Sequence, residues 1–373
     1  MVGKGTLTSR RRRLHFVQEV PTHHNNALLE AIHGSGLYEL VPEYANHETA
    51  EYPGASALAD TVVPARIYGS RTPSLRVFGD AIFRPRDRWL LIAWSNPTTR
   101  MLIVWFWICR KRFNCWIDVP PPASGSRDVL RRVALGILKH SRVQMFAVGT
   151  VGVGYLEEAG FRHCRIHNLP IAVRVPTVTE PQRRMVRTKF EVGDDQVLLI
   201  SGSRLVPEKG FDLLLRAIEL LPQESCMRLT TVIVGRGPEQ EMLAELANHV
   251  RLRGSRILLL DWMDSRDFLE LFAASDLVVH PSRRDSYGGC SIFARAYGKP
   301  LIASRGAGSA LDVVHQGENG WLYDPEDIAT LSKLIGGLVA DDSERRRIAA
   351  NMQARSREGS AENVADVFLR HAW

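Results

Sequence analysis

Cysteine is scarce in this 373-residue sequence, and none of the five, Cys109, Cys115, Cys164, Cys226 and Cys290, stands in a C-x-x-C pair. An odd, scattered set excludes the disulfide framework of a small secreted domain and the spacing of a structural zinc site, and it points to a reducing compartment. His23-His24 and His163 stand isolated, so structural or substrate-contact roles fit them better than metal ligation. Long apolar runs are missing as well. The most hydrophobic segment, Met101 to Cys109, has nine residues where a membrane-spanning helix takes about twenty. It reads as a buried helix; the alternative is a membrane-facing patch, favoured by its aromatic residues and by Arg110-Lys111-Arg112 directly after it. Arg10 to Arg13 precede only Leu14-His15-Phe16-Val17 before Gln18 and Glu19 interrupt, which predicts a first strand and not a signal peptide. No solenoid-type repeat is present.

What is there is the composition of a globular protein, with 45% apolar and 24% charged residues, on a chain long enough for two domains of roughly 180 residues. Charge divides unevenly. Residues 1–175 hold 23 Lys and Arg against 13 Asp and Glu, and the remainder holds 25 against 28, so the overall +7 sits on the first half. A basic domain favours an anionic partner such as a phosphorylated lipid or a membrane surface; a solvated surface is the bland alternative. A nucleic-acid partner would rest on charge alone and is not expected.

Short apolar runs alternate with helical stretches in the first half, the pattern of a parallel sheet with covering helices. Strands are expected at Leu14 to Gln18, Leu40 to Tyr44, Trp89 to Ala93, Cys115 to Ile117 and Met145 to Val148, and helices at Asn25 to Ile32, Pro97 to Arg110 and Val129 to Lys139. A polar, proline-bearing stretch over 176–195 reads as a linker. The expected division is an N-terminal domain over 1–175, a C-terminal domain over 196–355, and a helical segment over 356–373.

Two segments of the second half carry the chemistry. Val197 to Ser201 is an apolar run of strand length, followed by Gly202-Ser203-Arg204-Leu205-Val206-Pro207-Glu208-Lys209-Gly210 and an amphipathic helix over Phe211 to Leu221. An arginine and a lysine five apart on one loop offer a planar fork of donors and a compact point charge. Further on, the strand closing at Val278-Val279 runs through His280-Pro281-Ser282 and Asp285 to Gly288-Gly289, which let the backbone approach a ligand closely where a helix begins. The free N–H groups around Cys290 and Ser291 then form an anion site, reinforced by the helix dipole. Between these segments lie Val232-Ile233-Val234-Gly235-Arg236-Gly237-Pro238-Glu239 and a buried strand over Ile257 to Asp261. Each piece has a plain reading too: a solvated basic loop, an ordinary strand-to-helix turn, an aspartate capping a helix. Their order along the chain unites them.

That order resembles the nucleotide-sugar glycosyltransferases of family 4, which have the GT-B fold. The family's G-R-L-x-x-x-K-G is similar to Gly202 to Gly210, its G-x-G-P-E to Gly235 to Glu239, and its P-S-x-x-E-G-F-G with E-A-x-A-x-G-x-P to Pro281 to Pro300. The likeness is strongest over 197–325. Of the family's two glutamates eight positions apart, the first is Asp285 here and the second, which in the family holds the nucleotide ribose, is Phe293.

The resemblance implies two Rossmann-like doubly wound α/β domains facing across a cleft, with residues 361–373 crossing back to the first. It implies retaining, metal-independent transfer of a sugar from a nucleoside diphosphate, without a cofactor, to a glycan or lipid-linked acceptor in cell-surface polysaccharide synthesis, in the cytoplasm or peripherally on the inner membrane face. Arg204 and Lys209 would clamp the diphosphate, Asp285 would hold the transferred sugar, and Asp118 would orient donor or acceptor, unless Asp118 is a turn residue before Val119-Pro120. Donor contacts would come from Gly202, Ser203, Gly235, Arg236, Asp261, Trp262, Met263, Tyr287, Gly288, Gly289, Cys290 and Ser291, and acceptor contacts from His23, His24 and Asn96. Tyr287, Arg283 or Arg284 would be the groups to compensate for Phe293. A synthase acting on a small soluble acceptor, and a nucleotide-sugar-binding scaffold with impaired catalysis, are the competing readings.

Overall fold

The computed structural model describes residues 12–46, 63–69, 72–93, 96–120 and 125–373. Among the described residues the chain forms two compact α/β units, one built on 12–148 with 152–172 and 361–373, the other on 173–360 with 149–151.

In the first unit, β1 (Arg12–Gln18), α1 (His23–Gly34), β2 (Tyr38–Tyr44), β3 (Arg66–Ile67), α2 (Leu75–Phe83), β4 (Arg88–Ile92), α3 (Pro97–Ile108), β5 (Arg112–Ile117), α4 (Ser126–His140), β6 (Arg142–Ala147), α5 (Gly149–Glu158) and β7 (Ile166–Asn168) follow one another. The strands pair in parallel in the order β3-β2-β1-β4-β5-β6-β7. A parallel sheet covered on both faces needs near-continuous apolar strands, and Leu14, Phe16, Val17, Trp89, Leu90, Leu91, Phe113 and Cys115 are accordingly buried. The helix read from Pro97 onward is α3. It buries Leu102, Ile103 and Phe106, with Phe106 against Trp89 at 5.5 Å and Phe113 at 5.2 Å between ring centroids, while Val104, Trp107 and Ile108 remain exposed.

In the second unit, α6 (Glu180–Lys189), β8 (Val197–Gly202), α7 (Phe211–Glu219), α8 (Gln223–Arg228), β9 (Leu229–Val234), α9 (Gln240–Leu252), β10 (Arg256–Leu260), α10 (Ser265–Ala274), β11 (Leu277–His280), α11 (Gly289–Ala296), β12 (Leu301–Ser304), α12 (Gly308–Val313), β13 (Gly320–Tyr323), α13 (Ile328–Ala340) and α14 (Asp342–Ala354) alternate. The parallel order is β10-β9-β8-β11-β12-β13. Phe211, Leu214, Leu215 and Ile218 of α7 meet Leu243, Ala247 and Val250 of α9 and Leu331 and Ile335 of α13 over the sheet residues Leu199, Ile233, Leu277 and Val279. Fully burying each such aliphatic or aromatic side chain contributes about 1.5–3 kcal/mol, so this layer fixes the sheet on which the loops are mounted.

The stretch read as a linker is part of the second unit and carries α6. Pro181 lies in the first helical turn, where its missing N–H is no loss, and the Gln182 side chain accepts the Thr179 N–H at 3.1 Å. Arg187 then pairs with Asp276 at 2.7 Å, with Arg183 on the other carboxylate oxygen, which ties α6 to the start of β11. The last helix, α15 (Ala361–His371), belongs to the first unit and packs on α1. Phe368 meets Phe146 at 5.2 Å, His371 stacks on His167 at 4.2 Å, and the Arg88 guanidinium lies 4.3 Å over the Trp373 ring. No described helix is long and apolar enough to cross a membrane.

Candidate active site

In a parallel sheet the loops leaving two neighbouring strands whose chains run off in opposite directions splay apart and leave a crevice at their carboxyl ends. In the second unit that point lies between β8 and β11. The loop after β8 carries Arg204 and Lys209; the loop after β11 carries Asp285 and runs into α11.

The two loops meet through one carboxylate. Lys209 Nζ donates to Asp285 Oδ2 at 2.5 Å, with the two side chains only 11% and 10% exposed. His280, the last residue of β11, lies 3.4 Å from the same oxygen through Nε2 and 2.8 Å from Ser291 Oγ through Nδ1. Burial pushes the Asp285 carboxyl up, but His280 and Lys209 outweigh it and hold the group down at about 2. Asp285 is therefore a fixed anion at neutral pH. Sequence reasoning passed over His280; its signal was a polar residue closing a buried strand beside the phosphate loop.

Gly288 makes the helix start possible. Its φ of 82° is in the left-handed region, and a Cβ there would lie 2.5 Å from Asp285 Oδ2 and from His280 Cε1. As the N-cap of α11 it brings no side chain to accept from the first turn, so those N–H groups offer an anion site at the positive end of the helix. The loop is tied to the segment after β12 by hydrogen bonds: Asp285 N–H donates to Gly306 O at 2.8 Å, Gly308 N–H to Asp285 O at 3.0 Å, Ser309 N–H to Tyr287 O at 2.8 Å and Ser309 Oγ to Gly288 O at 2.9 Å.

Several residues expected at the donor face another way. Tyr287, Cys290 and Ser291 are buried; Ser291 Oγ is engaged by His280 and Cys290 Sγ lies 3.2 Å from Gly202 O, so only their backbone is available at the helix start. Burial raises the Cys290 thiol to about 11, which leaves it unreactive. Gly235 serves backbone packing: a Cβ there would lie 1.9 Å from Ser203 O, and the two loops are joined by Ser203 N–H to Val234 O at 3.0 Å and Leu205 N–H to Arg236 O at 2.9 Å. Arg236 and Asp261 form an exposed bidentate pair at 2.8 and 2.6 Å, beside exposed Trp262 and half-buried Met263. The Arg236 hydrogen bonds, helped by the Trp262 N–H, lower the Asp261 carboxyl to about 2. Arg204 is exposed on its loop.

Of the groups named to compensate for Phe293, Arg283 is committed to Asp212 at 2.6 and 2.7 Å and to Glu326 at 2.5 Å, and Tyr287 is buried, while Arg284 is exposed beside Glu208 at 4.0 Å. Phe293 itself packs edge-on against Phe272 at 5.6 Å and Phe268 at 6.3 Å.

In the first unit the strands diverge between β1 and β4. His23 and His24 open α1 behind the N-cap Thr22. Asn96 is 2% exposed and its Oδ1 accepts the Thr99 N–H at 2.9 Å, so it caps α3 rather than facing solvent; Asp118, exposed after β5, accepts the Val119 N–H at 2.7 Å, as a turn residue does. One buried charge cluster lies deeper in this sheet: His15 approaches Glu43 Oε1 at 3.3 Å and Asp87 Oδ2 at 3.0 Å, and Arg66 pairs with Glu43 at 3.2 Å and Asp80 at 2.9 Å. His15, Glu43 and Asp80 would be close enough to share a cation, but the Arg66 guanidinium already sits between the two carboxylates.

Residues 182–355 match the family described as glycosyl transferases group 1. The chain is 31% identical over 211 residues to a D-inositol 3-phosphate glycosyltransferase of Xylanimonas cellulosilytica, covering 55% of this chain and 50% of that protein. It is 30% identical over 186 residues to the lipopolysaccharide core biosynthesis glycosyltransferase LpsE of Rhizobium meliloti, covering 49% and 52%, and 33% identical over 182 residues to the O-antigen chain mannosyltransferase B of Escherichia coli, covering 48% and 46%. The chain thus spans about half the length of these curated relatives. Among solved structures, Anabaena Alr3699/HepE in complex with UDP superposes with a TM-score of 0.77 at 20% identity, covering 96% of this chain and 98% of the other. The architecture follows: two parallel-sheet Rossmann-like units of the GT-B fold, the second of which carries the segment similar to the group 1 glycosyl transferases.

Proposed function

We propose that the protein is a retaining glycosyltransferase that moves a sugar from a nucleoside diphosphate to a glycan or lipid-linked acceptor. The observation that carries the reading is the junction of Lys209, Asp285 and the uncapped start of α11 at the strand divergence of the second sheet. Relatives named for lipopolysaccharide and O-antigen chemistry support a glycan or lipid-linked acceptor, whereas the relative named for D-inositol 3-phosphate, a small soluble polyol phosphate, favours the competing reading of a small soluble acceptor.

Departure of the diphosphate is the hard step. Negative charge grows on the leaving phosphate, and fixed donors aimed at that position, the first N–H groups of α11 with Lys209 and Arg204, stabilise it without having to reorganise. Asp285 stays ionised, oriented by Lys209 and His280, and holds hydroxyls of the transferred sugar. The departing phosphate oxygen takes the acceptor proton on the same face, so retention needs neither a protein nucleophile nor a resident metal. Arg204→Ala and Lys209→Ala are each expected to lower turnover of a UDP-, GDP- or dTDP-sugar about a hundredfold or more. Parent-like turnover in both variants would sink the assignment. Folded parent protein that binds nucleotide but neither hydrolyses nor transfers any sugar would favour the scaffold reading, for which Phe293 is the motive.

Peripheral membrane contact is the second part of the proposal. Exposed Val104, Trp107 and Ile108 of α3 and Val129, Leu130 and Val133 of α4 lie on the half of the sequence that carries the positive charge. Each Lys or Arg near an anionic surface contributes about 1 kcal/mol, screened by salt. Sedimentation with anionic vesicles at low ionic strength and release at high salt are expected; equal binding to neutral vesicles, or binding to neither, refutes it.

A further inference from the structure

The wall beside the anion site is made of carbon. Phe293 stands four residues after Gly289 on α11, and helix side chains lean back toward the N-terminus, so its ring returns to the first turn: a Cβ on Gly289 would lie 3.1 Å from Phe293 Cε2. Phe268 of α10 closes on the end of β8 in the same manner, where a Cβ on Gly202 would lie 2.7 Å from its Cε2. Gly202 O is in turn 3.2 Å from Cys290 Sγ in the first turn of α11, so both rings border one place. Phe272 joins them, 5.0 Å from Phe268 and 5.6 Å from Phe293. Apart from Asp285, which faces the Lys209 side, the carboxylates of the surrounding segments are committed: Asp261 to Arg236, Asp264 to the Asp267 N–H at 2.9 Å, and Glu270 to Arg266 at 3.2 Å.

The two ends of a nucleotide sugar ask for different surroundings. The transferred sugar carries a hydroxyl on most of its carbons and needs polar partners, which the Asp285 and Lys209 side supplies; the nucleoside is left with the phenyl side. A ribose hydroxyl turned toward a ring gives up its water and gains no partner, so removing that hydroxyl loses nothing. We infer that Phe293 and Phe268 make the donor site indifferent to the 2′-hydroxyl, so that it takes 2′-deoxyribonucleoside diphosphates as well as ribonucleoside diphosphates. This rests on the proposal that a nucleoside diphosphate occupies the start of α11.

Calorimetric titration of the intact protein with UDP and with 2′-deoxy-UDP tests it, because the two differ in that hydroxyl alone. Dissociation constants within about threefold of each other are expected, whereas a site built to hydrogen-bond the hydroxyl would separate them by tenfold or more. UDP binding at least tenfold tighter overturns the inference and leaves the proposed function standing; where neither uridine nucleotide binds, GDP with 2′-deoxy-GDP and dTDP with its ribose counterpart make the same comparison, and binding of none of them overturns both. Phe293→Gln places a hydrogen-bonding group on the wall and is expected to create a preference for UDP of about tenfold. An unchanged ratio in the folded variant overturns the role given to the ring. Should the aromatic cluster fail to fold around glutamine, the comparison in the parent protein decides alone.

Discussion

The two sheets share a plan and differ in what their strand ends do with polar groups. In the first unit the loop after β1 is closed on itself: Asn25 donates to Gln18 Oε1 at 2.6 Å, Thr22 caps α1, and Asn96 caps α3 after β4. In the second, the helix after β11 begins at a glycine with no side chain to cap it, and a lysine from the loop after β8 reaches across. The first-turn N–H groups of a helix need acceptors. Where the chain supplies them, as Thr22 and Asn96 do, the helix end is structure; where Gly288 withholds them, it is a place for an anion.

The comparison breaks most readily at Lys209. Removing one partner of a buried ion pair leaves the other charge uncompensated, so Lys209→Ala is expected to lower stability by about 3 kcal/mol and Lys209→Ala with Asp285→Asn to recover most of it. Denaturant unfolding of the single and double variants measures this; equal losses in both would mean the pair adds nothing beyond packing. Next in size is Thr22→Ala, expected to cost about 1 kcal/mol as an ordinary cap loss, without effect on nucleotide binding. A change in nucleotide affinity there would show that the first unit's loop takes part in donor binding.

Acid sharpens the contrast. Asp285 is held near 2 against an ordinary value of 3.8, so its contribution is fully present above about pH 4 and is lost as pH falls toward 2. The stability advantage of the parent over Asp285→Asn is expected to be flat above pH 5 and to shrink through that window, followed by thermal unfolding; an advantage that persists at pH 2 would mean the carboxylate is not what matters. The smallest effect belongs to Arg236→Ala, whose exposed pair with Asp261 is expected to leave the melting temperature unchanged.

The parts of the fold that sequence disclosed are those governed by local pattern. Val197 to Ser201 and Phe211 to Leu221 announce β8 and α7 by an apolar run and a helical period, and Gly288 marks the start of α11 because its left-handed backbone favours glycine. Elements without a pattern were hidden. β3 is only Arg66–Ile67, too short for any period, and α6 looked like a linker because its proline sits in the one helical turn that accepts it. At the candidate site, residue types singled out loops but not the direction of each side chain. Ser291 and Cys290 turn inward because His280 and Gly202 O lie beneath them, and Asn96 is consumed by its own helix. Phe293 finds its partners, Phe268 and Phe272, on a different helix, which spacing along one helix does not reveal.

The central claim is that the second unit's Lys209 loop and α11 start, and not the first unit's β1 loop, hold the donor diphosphate. Thermal unfolding of the parent, Lys209→Ala and Gln18→Ala with and without UDP tests it most directly. A ligand at a hundred times its dissociation constant adds about 2.7 kcal/mol, so stabilisation by UDP is expected in the parent and in Gln18→Ala and is expected to be lost in Lys209→Ala at the same concentration. Undiminished stabilisation of folded Lys209→Ala, with loss in Gln18→Ala, would contradict the account.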